Sequence, residues 1–234
     1  MMNLLSIDTT ADLCSIALQA ADQQYTFHES RPREHAKILL PEIQQLLQQA
    51  GLTASDLDLI VVGRGPGSFT GVRIATSVAQ GLALAADCPI LPVSTLQSVA
   101  YSASLTGAKS IWVALDARMS EWYFCRYQLA QLGNIPQSVS DEVVIAPKDL
   151  QLELDPQAVL VGNGWQTDYP LAESLQHFSG QVLGDILLPH AQHSLALAKQ
   201  LLESNSAQAV APEEAIPIYL RDKVTWDNKP KVGS

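Results

Sequence analysis

The sequence predicts a two-lobed α/β protein in which each lobe holds a mixed β-sheet flanked by helices, the second lobe being reduced. Three observations carry this prediction. Near the amino terminus, short apolar strands follow one another across tight polar turns, the connection antiparallel strands use. Farther on, apolar strands alternate with helical stretches, the connection parallel strands need. From Ser110 the chain begins again on strands, with fewer helices between them.

Asn3–Ile7 reads as the first strand, Asp8-Thr9-Thr10-Ala11-Asp12 as a polar turn, Cys14–Leu18 as the second strand and Gln23–Ser30 as the third. In the stretch from Arg33 to Gly51, Leu39, Ile43, Leu46, Leu47 and Ala50 recur at helical spacing, and Gly51 stands where a left-handed C-terminal cap belongs. Pro41 removes one backbone donor early in this helix. Ile38 and Leu40 fall off the main stripe, which predicts a second buried face. "DLIVVG" is continuously apolar, as a central strand covered on both faces is. A helix over Thr70–Ala86 follows, then the strand "PILPVS" and a helix from Thr95 onward.

The second half offers "SIWVALDA", "EWYFCRYQ" and "AVLVGNG" as strands, a helix over His190–Leu202, and "AIPIYLRD" as a closing strand. The small, polar "SASLTGA" around Ser102–Ala108 marks the boundary. The lobes are therefore expected at 1–104 and 105–234, with the last helix and strand packing back towards the first. A meander feeding parallel strands with crossover helices matches the actin-like ATPase and sugar-kinase (ASKHA) core.

Composition narrows the function classes. Of 234 residues, 47% are hydrophobic, enough for a substantial core. Lys and Arg number 14 against 24 Asp and Glu, a net charge of −10, so this chain is not expected to grip a phosphate backbone by itself. The three cysteines, Cys14, Cys88 and Cys125, are far apart and read as buried free thiols in a reducing compartment. The opening "MMNLLSIDTT" has no basic leader pattern, and no apolar run approaches the roughly 20 residues of a membrane span. A soluble, cytoplasmic protein is expected, with no membrane association.

The most distinctive stretch is "VVGRGPGSFTGVR", a strand running into a glycine-rich loop that opens a helix. It fits neither common phosphate cradle. A Walker A loop has four residues between its glycines and then Lys and a hydroxyl residue; here five separate Gly65 from Gly71, and Val72-Arg73 follow. The dinucleotide spacing fails because Gly67 comes one place early. Arg73 and the helix start could still hold an anion. Beyond the loop, Gly71, Ala75, Ala79 and Ala83 form one small-residue stripe and Ser77, Gly81 and Ala85 another, with Ile74, Val78 and Leu82 as an apolar face. Small residues at this spacing let backbones approach closely, either on the chain's own sheet or against an external helix pair.

"LLSIDTT", "REHAKILLPEI", "VVGRGPGSFTGVRIA", "ILPVSTL" and "PIYLRD" resemble the TsaB family of bacterial tRNA threonylcarbamoyladenosine biosynthesis proteins. The resemblance is dense over roughly the first 100 residues. It implies a non-catalytic paralogue of the catalytic subunit TsaD, which attaches threonylcarbamoyl to the adenosine at position 37 of tRNAs reading codons that start with A. The implied role is a scaffold that binds TsaD through its first two helices, in a complex completed by the ATPase TsaE. It also implies a homodimer when alone and only indirect contact with tRNA. On this reading the interface residues are His35, Ile38, Leu39 and Ile43 on the first helix and Gly71, Ala75, Val78 and Ala79 on the second. Gly65, Pro66 and Gly67 shape the loop, with Arg73 as an anion contact. No cofactor is expected in the isolated chain, though a nucleotide could sit at the subunit interface.

The catalytic paralogue carries His-x-x-x-His metal ligands where this chain has Ser94-Thr95-Leu96-Gln97-Ser98-Val99, which cannot hold a metal that way. Its Ser-Gly-Gly phosphate turn is matched by Asp116-Ala117-Arg118-Met119, where side chains crowd the backbone. No catalytic residue and no metal site is expected. His190 and His193 could share a helix face but make a poor metal site as a pair. Gly162-Asn163-Gly164 reads as a tight turn, and Trp112, Trp122, Tyr123 and Phe124 as core. Two enzymatic alternatives remain: a residual nucleotide-binding phosphotransferase using Asp8, Thr9 and Thr10, or a peptidase acting on TsaD.

Overall fold

The computed structural model describes residues 2–129, 135–178 and 180–221. Its first sheet has the order β3-β2-β1-β4-β5. Strands β1 (Leu4–Asp8), β2 (Leu13–Ala20) and β3 (Gln23–Ser30) form the antiparallel meander; β4 (Leu59–Gly63) and β5 (Ile90–Val93) add parallel to β1. Helix α1 (His35–Gln49) connects β3 to β4, and α2 (Phe69–Ala86) connects β4 to β5. Both pack on one face of the sheet, where Leu39, Ile43, Leu46 and Leu47 meet Ile7, Ile16, Ile60 and Val62.

After α3 (Thr95–Ser104) the second sheet is built from β6 (Ser110–Asp116), β7 (Trp122–Gln128), β8 (Gln137–Ser138), β9 (Val143–Ile145), β10 (Ala158–Val161) and β11 (Gln181–Val182). Its order is β11-β10-β6-β7-β8, with β9 also on β7. Strands β8, β9 and β11 are two or three residues long, too short for a periodic signal, and so escape the sequence reading. The one helix between β10 and β11, α4 (Glu173–Gln176), has a single turn. This is the reduced lobe the sequence predicts, and the two mixed sheets with their helices make the ASKHA-type architecture.

Two helices cross the boundary between the lobes. Helix α3 buries Leu96, Val99, Ala100 and Ala103 against Ile111, Val113 and Cys125 of the second sheet. Helix α5 (Ala191–Glu203) returns to the other face of the first sheet, packing Leu195, Leu197 and Ala198 on Leu4, Leu59 and Val61. Trp112, Trp122 and Phe124 are core, in a cluster with Leu150, Leu160 and Leu175, whereas Tyr123 departs from the expectation: strand alternation turns it to the other face, half-buried, where its hydroxyl donates to the Gly67 carbonyl at 3.2 Å.

The closing element differs from its sequence expectation. The stretch from Ala215 is not a closing strand. A 3-10 turn at Pro212–Glu214 leads into an extended segment that joins no sheet. Pro217 lacks a backbone donor, and the Ile218 N–H bonds a single carbonyl, that of Arg64. Asp222 and the "KPKVGS" tail lie outside the described residues.

Candidate functional site

The strand ends and turns of the two lobes face one another across a cleft of about 340 Å³. Thr10–Asp12, Pro66–Phe69, Leu115–Met119, Asn163 and Ile218–Arg221 line it. On the first-lobe side, Asp8 is 1% exposed. Its Oδ1 accepts from the Thr10 N–H at 2.9 Å and the Thr10 hydroxyl at 2.7 Å, while Oδ2 is buried without a partner. Burial pushes the Asp8 carboxyl up to about 6, and the Thr10 bonds oppose that rise. Thr9 donates its hydroxyl to the Gly71 carbonyl at 2.7 Å, and Thr95 donates to the Thr10 hydroxyl at 3.2 Å. Asp8 and Thr9 are therefore engaged locally, and Thr10 alone of the three lines the cleft.

The glycine-rich loop is a packing device. A Cβ on Gly67 would lie 2.3 Å from the Thr10 carbonyl oxygen. The Ser68 N–H donates to that same oxygen at 2.6 Å, and the Ser68 hydroxyl accepts from the Gly71 N–H to cap α2. Gly65 has φ +92° and a cis bond to Pro66. The loop thus gives the Ser68 amide and the space at Gly67 to the β1–β2 turn. Arg73 does not reach into it. Its guanidinium lies over the Phe69 ring at 3.5 Å and donates to the Tyr219 hydroxyl at 2.8 Å.

The opposite turn is equally self-engaged. The Asp116 N–H donates to Asn163, the Arg118 N–H to Asp116, the Ala117 N–H to the Glu121 carbonyl and the Glu121 N–H to the Arg118 carbonyl. Arg118 pairs with Asp116 at 3.0 Å and reaches across the cleft to Asp12 at 3.3 Å. The Thr10, Ser68 and Gly71 amides on one side of the cleft and the Asp116, Ala117, Arg118 and Glu121 amides on the other are thus engaged within the chain. Among the described residues, no three of His, Cys, Asp and Glu converge as a metal-ligand group.

Placement divides the residues expected to meet a partner. Leu39, Ile43, Gly71, Ala75 and Ala79 are buried in the chain's own core, and His35 is 7% exposed. The stripe Gly71-Ala75-Ala79-Ala83 therefore lets α2 lie close on its own sheet, and no partner can touch it directly. Ile38 and Val78 are partly exposed, as are the flanking positions on both helices. Between α1 and α2, Ala36, Phe69, Thr70, Arg73, Ile74, Ser77 and Val78 line an open groove of about 430 Å³. Leu40 at 51% exposure and Phe69 at 45% stand out as large apolar side chains in the open.

Two polar constellations had no sequence signal, because their members lie far apart along the chain. Glu142 accepts from Arg64 at 3.3 Å, from Tyr127 at 3.4 Å and from the Ser94 hydroxyl, joining the lobes at their base. His28, His190 and His193 form a ring cluster, with centroids 4.8 Å and 5.8 Å apart. Ser15 bonds His28 at 2.7 Å and Ser102 bonds His193 at 2.6 Å. His190 is the N-cap residue of α5 and not part of a helix face. All three free thiols are buried; burial pushes Cys14 up to about 12.

The family model described as TsaD, tRNA N6-adenosine threonylcarbamoyltransferase, matches residues 27–229. The tRNA threonylcarbamoyladenosine biosynthesis protein TsaB of Escherichia coli is 40% identical over 98% of this chain and 99% of its own length. Its Haemophilus influenzae counterpart is 35% identical over 98% of each chain. A solved structure of YeaZ from Pseudomonas aeruginosa superposes with a TM-score of 0.82 at 37% identity, covering 94% of this chain and all of that one. A second structure from that organism, described as similar to the peptidase YeaZ, gives 0.81 at 37% identity, again over 94% of this chain. With this identity sustained over nearly its whole length, the chain belongs to the TsaB family of tRNA threonylcarbamoyladenosine biosynthesis proteins.

Proposed function

We propose that this chain is a non-catalytic subunit that binds and stabilises the catalytic TsaD subunit, within a complex completed by the ATPase TsaE. The complex threonylcarbamoylates adenosine 37 of tRNAs reading codons that start with A, in the cytoplasm. The observation that carries this reading is the open groove between α1 and α2, with Phe69 and Leu40 exposed beside it. Apolar side chains left in water along two adjacent helices are the usual mark of a helix-pair interface. The same surface serves a homodimer when TsaD is absent. Two further features support a non-catalytic role. Ser94 and Thr95, where the catalytic paralogue has its first metal ligand, serve structure here: Ser94 caps α3 and donates to Glu142 of the second lobe, and Thr95 bonds Thr10. Several amides of the cleft turns, those of Thr10, Ser68, Ala117, Arg118 and Glu121, are engaged within the chain. A nucleotide in this reading sits at the boundary between subunits and not in the cleft. At −10 net charge, contact with tRNA runs through the partners.

Light scattering after size exclusion tests the proposal, on the chain mixed with TsaD, for wild type, Ser77→Arg and Leu40→Glu. Both positions are exposed, so both variants stay folded. A one-to-one complex for wild type, weakened at least tenfold in either variant, supports the interface. Wild-type binding retained by both overturns it. Intact TsaD after prolonged mixing speaks against the peptidase reading that one neighbour's description suggests.

A further inference from the structure

One wall of the cleft is an extended segment from the end of the described chain, Ile218–Arg221. From the turn at Pro212–Glu214 the backbone runs extended along the first lobe. Ala215 is 1% exposed, and its carbonyl accepts from the Gln80 amide at 3.2 Å. The Ile218 N–H donates to the Arg64 carbonyl at 2.8 Å. The Ile218 carbonyl oxygen would lie 3.0 Å from a Cβ on Gly65, so the glycine loop is shaped to admit it. Tyr219 packs its ring 5.5 Å from that of Phe69 and bonds Arg73. The segment then crosses to the second lobe. Arg221 donates to the Ala117 carbonyl at 3.2 Å, lies 3.5 Å from the Met119 sulfur and pairs with Glu121.

Of the two arginines at the cleft mouth, Arg221 carries the greater weight. Its side chain is 20% exposed and Glu121's is 35%, whereas Arg118, bridging to Asp12, is 70% exposed. Exposed pairs contribute little; partly buried, charge-assisted ones contribute more. The turn that Arg221 grips is itself strained. Arg118, Met119 and Ser120 hold φ of 63°, 57° and 59°, three successive non-glycine residues in the left-handed region. Such a run persists only where its surroundings enforce it.

We propose that residues 215–221 act as an internal strap running along the interlobe cleft and joining its two sides. The strap holds the two turns at fixed closure through Arg221, in the place where ASKHA relatives would close around a nucleotide. Glu142 fixes the lobes at their base, and the strap fixes them at the mouth. This is independent of which partner the α1–α2 groove takes.

Amide hydrogen exchange on the full chain tests it with Arg221→Ala. The expected result is exchange accelerated roughly tenfold or more at Ala117 and Glu121, and also at Ser68 in the other lobe, with β1 and β4 unchanged. Ser68 is diagnostic because its amide bonds Thr10 and Arg221 does not touch it. Acceleration confined to residues 216–221 and 117–121, or none, overturns the proposal. If Arg221→Ala loosens the whole fold, Glu121→Gln decides. It removes the charge while leaving the contacts to Ala117 and Met119, and Ser68 must still exchange faster; an unchanged Ser68 overturns the strap.

Discussion

Gly71 and the carbonyl of Thr9 touch so closely that a Cβ on Gly71 would stand 1.9 Å from the Thr9 oxygen. The Thr9 hydroxyl returns the contact by donating to the Gly71 carbonyl. The first turn of α2 is thereby docked on the β1–β2 turn. Gly71→Ala improves helix propensity yet drives a methyl into backbone, at an expected cost on the order of 3 kcal/mol. Gly81 in the same helix has nothing within 4 Å of its Cβ position. Gly81→Ala is expected to stabilise by about 0.5–1 kcal/mol. Urea denaturation of the two variants gives opposite signs if this account holds.

The two small-residue stripes of α2 separate in the same way. Ala79 is 0% exposed, whereas Ser77 is exposed. Ala79→Arg buries an unpaired charge in the first lobe's core, and a loss of about 4 kcal/mol or more is expected. Ser77→Arg should stay within about 0.5 kcal/mol of wild type. Thermal melts of both decide the matter, and a well-folded Ala79→Arg protein would contradict the assigned packing.

Asp8 is expected to make the fold less stable as pH rises. Its folded-state value of about 6 lies above its ordinary 3.8, so the folded state binds the extra proton between those limits. The contribution is fully present below pH 3.8 and is lost as pH rises through about 6. Asp8→Asn removes the cost of the buried charge. A gain of up to about 3 kcal/mol is expected at pH 8, disappearing near pH 4. Stability measured at those two pH values checks the sign, and a gain of equal size at both would refute it.

The histidine cluster acts in the opposite direction. Burial, with repulsion from His190 second, lowers His28 from 6.5 to about 4. Burial also lowers His190 and His193. The unfolded chain therefore takes up protons first, and stability is lost as pH falls from about 6.5 towards 4. Imidazole nitrogen shifts followed by NMR should show His28 still neutral at pH 5.5. A His28 titrating at its ordinary 6.5 would remove the cluster from the account.

The sequence by itself determined the order of the elements and the class of the fold. β4 is apolar throughout and β1 and β6 are mostly so, and α1 and α2 carry clear helical periods, because burial on one or both faces writes a local pattern. It also showed that the glycine loop fits no standard cradle, since spacing is local too. Which side of each small-residue stripe faces inward was decided only by the tertiary structure: Gly71, Ala75 and Ala79 go to the sheet, and Ser77 and Gly81 to water. The same holds for Arg221 on Ala117, Glu142 on Arg64 and Ser94, and His28 beside His190, pairs separated by 48 to 162 positions in the chain. No periodicity relates such residues. They meet because two sheets and the helices between them fix where strand ends and turns arrive, and that is a property of packing rather than of any short stretch of sequence.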